Sequence, residues 1–200
     1  MDGMPDHSQS SSQRIVEAAN AVFLKGGVMP ISLADVAEIA GVSRSLIYSH
    51  FPTQHDLMNG VLQLHVPVIE RVSELARRSQ SAQDALLQSA LAYFDAMLED
   101  GPTLALAPND SFLSGRVSEA FQTASMNCLH TLARSAKSIF NVSAREAVSS
   151  IVMLKSLPDE AALLAWNGQI EAEICRETLE DSFKRAIESM TYHDAVYPAG

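Results

Sequence analysis

The sequence predicts an all-α protein in two helical parts, on three observations. Apolar residues recur every three and four positions from Ile15 to about Met190, the spacing of a helix face, and nowhere alternate for long at the period of two that a strand requires. Ser or Thr stands three residues before Asp or Glu at Ser32, Thr53, Ser81 and Ser143. In that pattern the hydroxyl takes a first-turn N–H and the carboxylate returns a bond to the capping residue. Short helices pinched at a glycine fill the first quarter, and longer, more apolar ones fill the rest. The expected organisation is a tail over 1–12, a three-helix helix-turn-helix domain over 13–54, a larger helical domain over 55–192 and a second tail over 193–200.

Each element follows from local chemistry. Ile15, Ala18, Ala19, Val22 and Phe23 mark one face of a first helix, and "KGG" ends it near Lys25, glycine being the usual residue just past a helix. Ser32 opens a second helix whose buried side is Leu33, Val36, Ala37, Ile39 and Ala40, with Asp35 reaching back to the cap. Gly41 can take a left-handed turn, Val42 tucks beneath it, and Ser43 caps a third helix, "RSLIYSHF", closed by Pro52. Thr53 opens a fourth helix through Leu57, Val61, Leu64, Val68, Val72 and Leu75. Pro67 falls inside that run, and an interior proline costs about 3 kcal/mol, so a kink or break is expected near His65. Ser81 opens a fifth helix to about Glu99, followed by "DGPTLALAPND" as a loop. One or two helices cover Phe112 to Phe140. Another starts at Ser143 and is interrupted at Pro158, and a last one covers roughly Ile170 to Met190.

Composition narrows the function. Hydrophobic residues make up 47% and charged residues 19%, enough for a packed core. No apolar run approaches the roughly 20 residues needed to span a bilayer, and "MDGMPDHSQSSSQ" lacks the basic and apolar regions of a signal peptide, so a cytoplasmic location is expected. Cys128 and Cys175 stand far apart without a CxxC, which suggests neither a disulfide framework nor a zinc site. There is no HExxH, no GxSxG and no phosphate-cradling glycine loop. Asp95 and Glu99 read as a solvated helix face, and His50 and His55 stand on either side of a break. No catalytic residue, metal or cofactor is expected, and the chain does not read as an enzyme. The net charge of −10 confines any contact with a nucleic acid to a local patch.

The stretch from Leu33 to Phe51 supplies such a patch. Two helices joined by a short glycine turn must cross steeply, which holds the second one out for insertion into a major groove. With Val42, Ile47 and Phe51 toward the core, Arg44, Ser45, Leu46, Tyr48 and Ser49 point outward and His50 lies on the flank. Arg44 can reach a guanine edge or a phosphate, Ser45 can donate or accept, and Leu46 can pack on a thymine methyl. Tyr48 and His50 suit phosphates, which set register.

"RIVEAANAVFLKGG" followed by "ISLADVAEIAGVSRSLIYSHFPTQHDLM" resembles the N-terminal domain of the TetR-like family of transcriptional regulators, over roughly Gln13 to Leu62. The resemblance implies that the third helix reads bases and that the start of the second holds a phosphate. By position those roles fall on Ser32, Arg44, Ser45, Tyr48 and His50; Ser43, Leu46, Ser49 and, at the start of the fourth helix, Gln54 complete the candidate DNA-binding residues. The family usually has Lys where this chain has Gln54 and an aromatic residue where it has Val28. Gln54 keeps a hydrogen bond and lacks the charge, which would flatten the salt dependence of binding.

The resemblance further implies a C-terminal ligand-binding and dimerisation domain, with double-stranded operator DNA and an apolar or aromatic small-molecule effector as partners. Tyr93, Phe94, Met97, Phe112, Phe121, Met126, Phe140, Met153 and Trp166 lie in the helices such a domain would use, and Asn127 and His130 are candidate polar anchors. Aromatic and Met side chains make adaptable cavities, though at helical spacing they also make ordinary core. "EAVSSIVMLKSL" and the last helix, with Ile170, Ile174, Leu179, Phe183 and Ile187, read as a homodimer interface forming a four-helix bundle. The expected function is a ligand-responsive repressor that binds a palindromic operator as a homodimer. The alternative is a helical small-molecule-binding or protein-interaction module with a weak head.

Overall fold

The computed structural model describes residues 10–196, with side chains through 190. The expected tails therefore fall outside the described residues at 1–9 and 197–200, while 11–12 and 193–196 belong to helices. The chain divides into two compact units. One runs to Leu64 and takes back Leu106–Val117; the other comprises His65–Ala105 and the chain from Ser118 onward.

In the first unit, helix α1 (Ser11–Gly26) starts at Ser10, whose hydroxyl accepts the Gln13 N–H. It ends at Gly27, left-handed at φ 67°, whose N–H returns to the Phe23 carbonyl. Ile15, Ala19 and Phe23 are fully buried along one face, against which α2 (Leu33–Ala40) and α4 (Gln54–Leu64) pack. Helix α3 (Arg44–His50) follows α2 after the turn at Gly41. Gly60 lets α4 approach closely, since a Cβ there would lie 3.1 Å from both the Phe51 ring and Val16. Ile39, expected inside, is 60% exposed. On an eight-residue helix Val36 and Ala40, one turn apart, already form the buried stripe.

Helix α4 stops at Leu64 and α5 (Val66–Arg78) begins after His65, so the break falls where Pro67 requires it. Pro67 then occupies the first turn of α5, where its missing N–H is not needed.

The second unit packs α5, α6 (Ala82–Asp100), α8 (Glu119–Phe140), α9 (Ala144–Trp166) and α10 (Ala172–Val196) on one another. Leu86, Phe94, Met97, Ala136, Phe140, Ile151, Leu154, Leu179 and Phe183 form its core. Three expectations are corrected. The supposed loop after α6 contains a short helix, α7 (Thr103–Leu106), and a 3₁₀ turn at Ala107–Asn109. The helix ending at Phe140 begins only at Glu119. Pro158 sits within an unbroken α9, because Ile151, Leu154, Pro158 and Ala162 are buried together on one face and that packing outweighs the lost backbone bond.

Candidate nucleic-acid interface and effector residues

The α2–α3 corner is built from caps. Gly41 takes φ 63° and its N–H closes α2 on Ala37 and Glu38, while the Val42 N–H reaches the Ala37 carbonyl at 3.0 Å. The Ser43 hydroxyl accepts the Leu46 N–H at 3.2 Å. Ile47 is 1% exposed, and this single anchor turns the opposite side of α3 outward. Ser43, Arg44, Ser45, Tyr48, Ser49 and His50 are exposed, Tyr48 by 53%, and Leu46 is half-buried. Ser49 donates its hydroxyl to the Ser45 carbonyl at 2.9 Å, which leaves its oxygen free to accept. Among the described residues no carboxylate pairs with Arg44. One exposed cation, one phenol and three serines thus lie on or at the start of one short helix, the chemistry that meets phosphates and base edges.

Ser32 is exposed at the start of α2 and accepts the Asp35 N–H at 3.3 Å. The expected return bond from Asp35 is not made among the described residues; the reciprocal arrangement occurs instead at Thr53 with Asp56 and at Ser143 with Glu146. Gln54 does different work from a phosphate contact. Its amide accepts the Ile31 N–H at 3.1 Å and donates to the Ile31 carbonyl at 3.2 Å, pairing the backbone groups of a residue only 6% exposed. A buried peptide group needs such partners, so the side chain is committed inward.

Sequence reasoning missed the returning segment of the first unit. The His55 ring stacks on Phe112 with centroids 4.1 Å apart and an interplanar angle of 2°. Its Nε2 lies 3.2 Å from the Phe112 carbonyl and 3.1 Å from Arg116 Nη1. Asn59 donates to the Arg116 carbonyl at 2.9 Å, and Leu113 is fully buried. Arg116 thereby joins the unit that also holds Arg14, Lys25 and Arg44. No local spacing signals a pairing across about sixty residues.

Among the expected effector residues, the structure groups some and scatters others. Phe94 and Met97 are 0% and 1% exposed in the core of the second unit, with Tyr93 packed against it. The Tyr93 hydroxyl donates to Asp159 at 3.0 Å, Asp159 pairs with Lys155 at 2.6 Å, and that ammonium lies 5.0 Å from the Tyr93 ring centre. Burial, then the Asp159 carboxylate, hold the Tyr93 hydroxyl well above its ordinary pKa, so it remains a donor. Burial likewise pushes the Cys128 thiol up to about 11. Phe121 is buried, whereas Met126, Met153 and Trp166 are 47%, 60% and 42% exposed. Asn127 and His130 lie on the exposed side of α8, because Cys128, Ala136 and Phe140 take its inner stripe. Phe112 belongs to the first unit, outside any helix.

A three-helix head with an exposed, capped third helix is a helix-turn-helix domain. Residues 15–61 match the family model described as bacterial regulatory proteins, tetR family, and over that stretch the chain is similar to that family. It is 40% identical over 80 residues to the HTH-type transcriptional regulator TtgR of Pseudomonas putida, a match covering 40% of this chain and 36% of that protein. It is 27% identical over 117 residues to the HTH-type transcriptional activator FasR of Mycolicibacterium smegmatis, covering 58% and 53%. The chain thus spans between about a third and a half of the length of these relatives. Solved structures share the fold along nearly the whole chain. The regulator FadR from Bacillus subtilis in complex with stearoyl-CoA superposes with a TM-score of 0.67 at 18% identity, covering 90% of this chain and 97% of that one. The regulator PfmR from Thermus thermophilus does so with 0.67 at 17%, covering 86% and 97%.

Proposed function

We propose that the protein is a DNA-binding transcriptional regulator whose second unit binds a small molecule, with no enzymatic activity, and that it acts as a repressor released by that effector. The observation that carries the reading is the α3 surface: Arg44, Ser45 and Tyr48 are exposed around the single buried anchor Ile47. A purely structural corner has no need of an outward guanidinium and phenol. Homodimerisation is supported by large apolar residues left exposed on and beside α9 and α10, namely Val152, Met153, Trp166, Ile170 and Ile174. A twofold dimer would present two recognition helices about 34 Å apart, or a multiple, and so select a palindrome.

Selection of bound duplexes from a random pool at two salt concentrations, with an Arg44→Ala, Tyr48→Ala protein beside the wild type, tests the head. The expected result is a palindrome that disappears with the double variant, and an affinity that falls with rising salt. The committed Gln54 amide favours the rival, a small-molecule-binding helical module with a weak head, and no enriched sequence at low salt would select it. Sedimentation of Val152→Glu, Ile174→Glu tests the dimer: a monomer with unchanged helical content is expected.

A further inference from the structure

Away from α3, the segment Leu106–Val117 brings a further guanidinium into the first unit, that of Arg116, 61 residues from its contact at His55. The segment is a run of tight turns. The Leu113 N–H reaches the Asp110 carbonyl at 3.1 Å, Ser114 reaches Ser111 at 3.3 Å, and Arg116 reaches Leu113 at 2.9 Å. Gly115 takes φ 70° in that run, a left-handed conformation open to glycine. Buried Leu113, the Phe112 ring on His55 and the Asn59 bond to the Arg116 carbonyl fix the segment to the unit. The guanidinium is tethered as well, with Nη1 3.1 Å from His55 Nε2, yet the residue is exposed. A guanidinium carries five N–H donors, and among the described residues no carboxylate pairs with this one. The carboxylates nearest along the chain to its contacts, Asp56 and Asp110, bond Thr53 and the Phe112 N–H instead.

His55 is the second residue of α4 and stands five positions after His50, the last residue of α3. Five residues span at most about 18 Å, so the guanidinium lies within a few nucleotides' length of any strand that α3 meets. An exposed donor fork, held in place and without a carboxylate, suits bidentate pairing with a phosphate. We infer that Arg116 contacts a DNA phosphate beside the α3 footprint, as a cation delivered to the start of α4 from a distant segment. Gln54, at the same helix start, is uncharged and committed to Ile31, so the fixed positive charge at this end of α4 comes from Arg116. The inference rests on the reading of the first unit as DNA-binding and adds to it a contact from outside residues 15–61. A phosphate contact of this kind sets affinity and register, not the choice of base.

The test measures affinity of the full chain for the selected duplex, and for a scrambled duplex of equal length, over a series of KCl concentrations. Log affinity falls against log salt by about 0.9 for each phosphate contacted. Arg116→Gln should therefore flatten the slope by about 0.9 per bound protomer and weaken both duplexes by the same factor. Arg116→Lys, which keeps the charge, should keep the wild-type slope. Arg145→Gln, which removes an exposed cation of the second unit, should leave it unmoved and so separates a local contact from a change in net charge. A wild-type slope in Arg116→Gln would overturn the contact, as would equal flattening by Arg116→Lys or by Arg145→Gln. Labelling of the wild type with phenylglyoxal, read arginine by arginine in a mass spectrometer, decides even where Arg116→Gln does not fold. Arg116 should react in the free protein and be protected by the selected duplex; undiminished labelling in the complex removes the contact. Salt-dependent binding by the wild type that the Arg116→Gln protein matches removes Arg116 and leaves the DNA-binding reading standing. A wild type that binds no duplex at low salt sinks that reading and the contact together.

Discussion

The α2–α3 corner and the α8–α9 pair are both two helices joined by a short turn, yet their residues are determined at different ranges. In the corner, a serine cap, a left-handed glycine and one buried isoleucine within about fifteen residues decide which side chains face outward. In α8 and α9, more than twenty residues long each, apolar side chains occur on several faces, and what lies inside depends on α5, α6 and α10. Short elements with strong local signals carry their own orientation. Long helices acquire theirs from their neighbours.

The contrast can be broken in order of effect. Phe94→Ala should cost the second unit about 3–5 kcal/mol, the usual range for emptying a fully buried aromatic site; its exposure of 0% leaves no partial loss. Because Trp166 is the only tryptophan and lies in that unit, urea unfolding by its fluorescence measures this directly. An unchanged midpoint would mean the α6 core is not tightly packed. Gly60→Ala should cost the first unit about 1–3 kcal/mol by overpacking, since the new Cβ would meet Phe51 and Val16 at 3.1 Å. Circular dichroism should report this while the tryptophan transition stays put; movement of both together would make the two units one cooperative block.

Ser43→Ala should cost roughly 1 kcal/mol through loss of the α3 cap and weaken duplex binding along with it, whereas Ser43→Asp should restore the cap. Equal stability of all three proteins would remove the cap from the account. The smallest expected effect is with pH. Burial lowers the pKa of His65 in the folded protein, Asp100 opposing it, so around and below the ordinary value of 6.5 the unfolded chain binds the proton more readily. Stability should therefore fall as pH falls below that value and go on falling until the folded pKa is passed. Melting at pH 7.5 and 5.5 should show a drop that is reduced in His65→Phe; an identical drop in both would assign it to other groups.

Much of the head is readable because its signals are local. The caps at Ser43 and Thr53, the glycine turn, the break before Pro67 and the outward side of α3 all follow from residues a few positions apart. Ile39 departs from expectation because a short helix buries a narrower stripe than its apolar content suggests. Gln54 departs from it because its partner, Ile31, lies 23 residues away. Pro158 reads as a break because local propensity takes no account of the packing that holds α9 together.

By itself the sequence determined the helical class, the order of the elements and the chemistry of the α3 surface, since caps, glycine turns and helical periodicity act within a turn or two of chain. Tertiary structure alone decided that Leu106–Val117 returns to the first unit through Phe112 and His55, that Asn127 and His130 face outward, and that His65 is buried without a partner. The physical reason is the range of the interactions. Burial and pairing across sixty residues are properties of the packed chain, and no run of neighbouring side chains encodes them singly.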